Sequence, residues 1–139
     1  INVTSLAARL PVPFMAAYNA AKAALASYTM SLQLELANTN VRLVDLQPAD
    51  INTNFNDAAT KAGTNDARVS KTWRTADRNM KTAPPPELVA RHVLRLIEQA
   101  NPPPRITVGN SFQAMIAPLI FRFLPQRLKL WGLRNYYGI

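Results

Sequence analysis

The chain has 139 residues, enough for one domain that buries a core, and 48 % of them are apolar, which excludes a disordered chain. There is no cysteine, so disulfides, thiolate chemistry and cysteine-ligated metals are all excluded, and no metal site is expected. Sixteen basic against eight acidic side chains give a net charge of +8. The excess is uneven: Arg68–Lys81 holds five cations and one anion, and residues 111–139 hold four cations and no anion. A basic balance favours anionic partners, but no helix-turn-helix, RNA-binding aromatic strand or zinc spacing accompanies it, so nucleic acid is not expected. The opening residues Ile1–Ser5 read as a buried strand and not as a secretory leader, and no stretch is long and apolar enough to span a bilayer. A cysteine-free chain suits a cytoplasmic setting.

In chain order, Ile1-Asn2-Val3-Thr4 is strand-like, and an apolar loop with two prolines, Leu10-Pro11-Val12-Pro13, follows it. Residues Met15–Asn38, rich in Ala, Leu and Met with no internal Gly or Pro, predict a long helix. Asn38-Thr39-Asn40 stops it, and Val41–Gln47 predicts a second strand ending at Pro48. Strand, helix and strand joined by short loops make a βαβ unit with parallel strands. Asn52–Thr82 is polar, with short helices expected around Thr53–Ala59 and Asp66–Met80, and has the character of a functional lobe. Pro84-Pro85-Pro86-Glu87 starts a further helix, whose Val89, Val93, Leu96, Ile97 and Ala100 are expected to pack on the sheet. Arg105–Gly109 predicts a third strand. The tail carries an apolar stripe of Phe112, Met115, Ile116, Leu119, Ile120 and Phe123, interrupted at Pro118, which reads as core or subunit contact. Pro125–Tyr137 mixes apolar and basic residues. The chain thus divides into a body over 1–110 and an amphipathic basic helical tail over 111–139.

Tyr18 and Lys22 stand four apart on the long helix, so both side chains leave the same face one turn apart. An ammonium held beside a phenol favours the phenolate and so eases proton exchange in either direction. Alone that pair is a weak signal. Ser5 strengthens it, lying thirteen residues earlier at the end of a strand, where the loop with two prolines turns the chain back. Ligands of open α/β sheets sit beyond the carboxyl ends of the strands, where Ser5 and the loop at Pro48 both fall.

Asn2-Val3-Thr4-Ser5, Tyr18-Asn19-Ala20-Ala21-Lys22 and Pro48-Ala49-Asp50-Ile51-Asn52-Thr53 together resemble three successive motifs of the short-chain dehydrogenase/reductase family. The resemblance runs from Ile1 to about Gly109 and implies an α/β fold, a partial Rossmann-type doubly wound parallel sheet of about three strands with flanking helices. It implies a cofactor, NAD or NADP, and hydride exchange with a secondary alcohol/ketone pair. Tyr18 would be the general acid/base, Lys22 would bind the nicotinamide ribose and favour the Tyr18 phenolate, and Ser5 would hydrogen-bond the substrate oxygen. Tyr18, Lys22, Pro48, Ala49, Ile51 and Thr53 would form the cofactor side, with the Ile51 backbone and Thr53 hydroxyl holding the carboxamide. The intact protein would be a homo-oligomer through the long helix. Ala49 replaces the family's usual glycine, where a Cβ is expected to crowd the nicotinamide side. The family's Gly-rich phosphate turn, its cofactor-discriminating residue and its asparagine are expected upstream of Ile1, so the chain reads as a C-terminal half that does not act alone.

Other residues have plainer readings. His92, the single histidine, reads as a surface-helix residue, and Asp50 as the cap of the short helix after it. For the tail two readings stand: closing an apolar substrate pocket for a lipid-like or steroid-like alcohol or ketone, or lying on a membrane surface with Trp131, Tyr136 and Tyr137 at the interface. A non-catalytic interaction or membrane-surface module keeping the fold is the alternative to an enzyme.

Overall fold

The computed structural model describes residues 1–59, 61 and 65–139, so Thr60 and Ala62, Gly63 and Thr64 of the expected lobe lie outside the described residues. Three strands form one parallel sheet in the order β1-β2-β3: β1 (Asn2–Val3), β2 (Asp45–Pro48) and β3 (Arg105–Val108). The helices are α1 (Ala16–Glu35), α2 (Phe55–Ala58), α3 (Ala67–Thr82), α4 (Glu87–Glu98), α5 (Ala117–Phe123) and α6 (Gln126–Tyr137). A π-helical turn over Phe112–Ile116 leads directly into α5, with Pro118 at the second position of α5, where the wider π turn accommodates a residue without an N–H. The expected α/β architecture with a parallel sheet is the one observed.

Pairing registers Asn2 with Asp45 and Asp45 with Arg105, so the two faces of β2 separate cleanly. Val44 and Leu46 join Val108 and Leu96 in a core cluster, against which Leu88, Val89, Val93 and Ile106 pack. That places α4 on the apolar face of the sheet. Asp45 and Gln47 project from the opposite face, and both are buried. There Asp45 accepts from Arg105 Nε at 2.7 Å, from Gln47 Nε2 at 2.8 Å, and from the Thr4 hydroxyl. A buried carboxylate is tolerable because its oxygens are saturated by these donors. Helix α1 meets this side of the sheet, since Asn2 Nδ2 donates to Thr29 Oγ1 at 2.9 Å.

Two boundaries differ from the sequence reading. Strand β2 begins at Asp45 and not at Val41, because β1 and β3 flank the chain only from there on, and Val41 is left exposed. Helix α1 ends at Glu35, short of Asn38: the Thr39 hydroxyl donates to Leu36 O at 2.9 Å and accepts from Val41 N at 3.2 Å, closing a turn in place of a helical bond. The face assigned to α4 is also narrower than expected. Leu96, Val89 and Val93 pack on the sheet, but Ile97 is 68 % exposed and Ala100 lies beyond the end of the helix.

Candidate functional site

The carboxyl ends of β1 and β2 open on a cavity of about 1030 Å³, at the upper end of the range typical of ligand sites. Ser5, Tyr18 and Lys22 all line it, as do Pro48, Ala49, Ile51 and Thr53. Every site residue expected from the sequence therefore faces one space, although its contributors come from a strand end, a helix and a loop.

Each is held by local structure. Ser5 has extended backbone at the end of β1 and caps the short 3-10 turn Leu6–Ala8; its Oγ accepts from Ala7 N at 3.1 Å, which leaves the hydroxyl proton to donate elsewhere. Tyr18 and Lys22 lie in the first two turns of α1, with Lys22 Nζ 5.9 Å from the Tyr18 ring centroid. The Lys22 ammonium donates to Val3 O at 3.1 Å, tying α1 to the strand that carries Ser5. Against the other side of Tyr18 stands Phe55, ring centroids 5.4 Å apart.

Asn19, within the Tyr18–Lys22 segment, was not singled out by sequence. Its Nδ2 donates to Val12 O at 2.8 Å and its Oδ1 accepts from Val12 N at 3.3 Å, fastening the loop with two prolines to the first turn of α1. The loop needs that fastening, because Phe14 sits at φ 61°, a left-handed conformation that a bulky side chain adopts only at a cost of order 1 kcal/mol. An amide beside the candidate tyrosine and six residues after a proline turn was the available signal.

The loop after β2 is pinned at both ends: Ala49 N donates to Val108 O at 2.8 Å and Asn52 N to Pro84 O at 2.9 Å. Ala49 lines the cavity, and its Cβ also lies against Gly109, where an added Cβ would stand only 2.6 Å away. The glycine on the neighbouring strand end leaves room for that methyl group. The Thr53 hydroxyl accepts weakly from Phe55 N at 3.4 Å at the start of α2.

Asp50 departs from its expected role. Asn54 precedes α2, its side chain makes no cap hydrogen bond, and Asp50 does not reach that helix end. The Asp50 carboxylate instead accepts from Gln113 Nε2 at 2.5 Å, joining the loop to the tail. Burial pushes its carboxyl above the ordinary carboxylate range, and the Gln113 bond offsets only part of that. Gln113 is itself locked, accepting from Asn110 Nδ2 at 3.1 Å and donating its backbone N–H to Asn110 Oδ1 at 2.9 Å.

The tail closes the cavity with a face other than the expected one. Gln113, Ala117 and Phe121, spaced by four, line it together with Leu133, Tyr136 and Tyr137 of α6. Burial pushes the hydroxyls of both tyrosines upward, and Asn79 Nδ2 donates to Tyr136 OH at 2.7 Å, fixing α6 on α3. Phe112 lines the cavity as well, but the rest of the stripe faces outward: Met115 is 72 % and Phe123 74 % exposed, so it is not core. His92 stays on α4, its Nδ1 2.8 Å from Leu88 O, away from the cavity.

Residues 1–63 match the family model for short chain dehydrogenase. Among curated proteins, a 3-ketodihydrosphingosine reductase from Bacteroides thetaiotaomicron is 26 % identical over 145 aligned positions, covering 100 % of this chain and 54 % of that protein. Dehydrogenase/reductase SDR family member 4 from Bos taurus is 46 % identical over 55 residues, 40 % of this chain and 20 % of that protein. An NADPH-dependent 1-acyldihydroxyacetone phosphate reductase from Schizosaccharomyces pombe is 42 % identical over 53 residues, 38 % of this chain and 18 % of that protein. The chain thus spans about half the length, or less, of the curated relatives it matches. No solved structure matches.

Proposed function

Since this chain belongs to the short-chain dehydrogenase/reductase family through residues 1–63, we propose that the protein exchanges hydride between a nicotinamide dinucleotide, NAD or NADP, and a lipid-like secondary alcohol/ketone pair. The observation that carries the reading is the convergence of Ser5, Tyr18, Lys22 and the loop from Pro48 to Thr53 on one cavity whose remaining wall is mostly apolar. The donor set suits the cofactor: the Lys22 ammonium for ribose hydroxyls, with the Ile51 main chain and the Thr53 hydroxyl for a carboxamide. When bound, the nicotinamide supplies or takes the hydride. In the reducing direction the Tyr18 hydroxyl gives its proton to the substrate oxygen, and the phenolate left behind is stabilised by the Lys22 ammonium. The Ser5 hydroxyl donates to the same oxygen and orients it. Oxidation reverses each transfer.

The lipid-like substrate draws on the apolar wall contributed by Phe112, Phe121 and Leu133, and on the names of the Bacteroides and fission-yeast relatives, which specify 3-ketodihydrosphingosine and 1-acyldihydroxyacetone phosphate. On this reading, residues 1–110 carry the chemistry and residues 111–139 close the pocket. In the full-length protein, Tyr18→Phe is expected to abolish turnover of a long-chain ketone while cofactor binding persists. Turnover at the wild-type rate in that variant refutes the assignment. Helix α1 leaves Tyr28, Met30 and Leu34 exposed beside the small Ala20 and Ala24, a surface suited to a second copy; light scattering of Leu34→Glu against wild type tests for loss of a dimer.

A second reading adds a membrane surface. Among the described residues no helix is long and apolar enough to cross a bilayer. The outward face of the tail, however, combines exposed Met115, Leu119, Phe123 and Trp131 with Arg122, Arg127 and Lys129. Apolar side chains interleaved with cations suit the boundary of an anionic bilayer. Phe123→Ser with Trp131→Ser should lower co-sedimentation with anionic vesicles, and equal binding discards this reading.

A further inference from the structure

We propose that Asp50 is the recognition point for a primary ammonium group that the substrate carries close to its reacting carbon. The inference rests on the oxidoreductase reading above and narrows its substrate class from lipid-like ketones to lipid-like amino ketones and amino alcohols.

Among the described residues that line the cavity, Asp50 is the one carboxylate. One of its oxygens, Oδ2, is engaged by Gln113, whereas Oδ1 has no hydrogen-bond donor among the described residues. None of the ion pairs among those residues includes Asp50. A latch between the loop and the tail needs only a neutral acceptor such as an amide, so the negative charge is not explained by the contact with Gln113. Carboxylates withdrawn from water in proteins are paired with cations or strong donors, as Asp45 is with Arg105, Thr4 and Gln47. Asp50 has one such donor, and the other polar groups that interact with it across the cavity, the Tyr136 and Tyr137 hydroxyls, are neutral, so a ligand ammonium completes its shell.

Its position fits that role. Asp50 follows β2 directly, between Ala49 and Ile51, on the same edge of the sheet as Ser5. The twofold contact of Gln113 with Asn110 fixes the amide that orients the carboxylate, so its free oxygen is presented without a further loss of rotamer freedom. The cation of the same wall, Lys22, is directed at Val3 O and stands on α1, leaving the loop side of the cavity to a single negative charge. A charge-assisted hydrogen bond discriminates by about tenfold or more against an analogue that lacks the charge.

The test uses the full-length protein and two substrates, a long-chain 2-amino-3-ketone and its N-acetyl derivative. Wild type is expected to favour the free amine at least tenfold in kcat/KM, and Asp50→Asn to bring the ratio close to one, with Asp50→Glu restoring part of it. A wild-type ratio near one, or a preference retained in Asp50→Asn, overturns the proposal. If neither ketone is turned over, the oxidoreductase reading fails, and the role of Asp50 is then decided by calorimetric binding of decylammonium against decanol. Tighter binding of the cation supports the proposal, and equal binding overturns it. Should Asp50→Asn not fold, the same wild-type comparison decides.

Discussion

Replacing Gly109 with alanine tests whether the loop after β2 is seated by a single close contact. The new Cβ would stand 2.6 Å from the Cβ of Ala49, about 1 Å inside the ordinary carbon–carbon separation of roughly 3.5–4.0 Å. Neither partner yields easily. Ala49 is bonded through its N–H to Val108 O at 2.8 Å, and Pro48 is registered against Val108 in the sheet. Relief therefore requires β3 and the loop to separate, with a cost of about 1–3 kcal/mol for overpacking. In thermal unfolding this corresponds to a loss of several degrees, at roughly 2–4 °C per kcal/mol for a domain of 150–250 residues. Ala49→Gly removes the opposing methyl, so the double variant should regain most of what Gly109→Ala loses, apart from the backbone entropy of a new glycine, about 0.5–1 kcal/mol. Unfolding of Gly109→Ala at the wild-type temperature, or a double variant no better than the single, would refute the reasoning.

Further expectations follow from the same contacts. Leu96→Ala opens the cluster of Val44, Leu46 and Val108 and should cost about 2–5 kcal/mol in denaturant unfolding, without a change in slope. Asn19→Ala removes both bonds to Val12 and should cost about 1–2 kcal/mol, with a fall in kcat that exceeds any rise in KM, because the turn bearing Tyr18 loses its anchor. Asp50 gives a pH signature. Its carboxyl lies above the ordinary range in the folded protein, so over that window the folded state binds more protons than the unfolded one, and stability falls as pH rises. Asp50→Asn should flatten that decline, becoming more stable relative to wild type at pH 7 than in the acid range; an unchanged difference across pH would contradict the burial of the carboxylate.

Much of the site was legible because its signals are short-range. The spacing of four between Tyr18 and Lys22 puts both on one helix face whatever surrounds them, and an alanine-rich run without Gly or Pro makes that helix form. Ser5 at a strand end and Pro48 at the end of the strand-like segment Val41–Gln47 were equally local statements, and the sheet brought them to one cavity. Asp50 was misread because a carboxylate after a proline turn has the local appearance of a helix cap, whereas its partner Gln113 lies 63 residues away. The covered face of the tail was not legible for a similar reason. Its most regular apolar stripe, read as core or subunit contact, is exposed, and the cavity is lined by the sparser face of Gln113, Ala117 and Phe121, since α3 and the loop after β2 determine which side of the tail is covered.

Sequence by itself thus determined the element order and the parallel βαβ unit, because propensity, periodicity and chain direction act over a few residues, while the resemblance to a known family pointed to the residues at its carboxyl edge. Tertiary structure alone decided where pairing begins in β2, which face of the tail lines the cavity, that Gly109 makes room for Ala49, and that Asp50 faces the cavity with one oxygen unengaged. Each of those depends on contacts between segments distant along the chain, and such contacts leave no periodic trace in either segment alone.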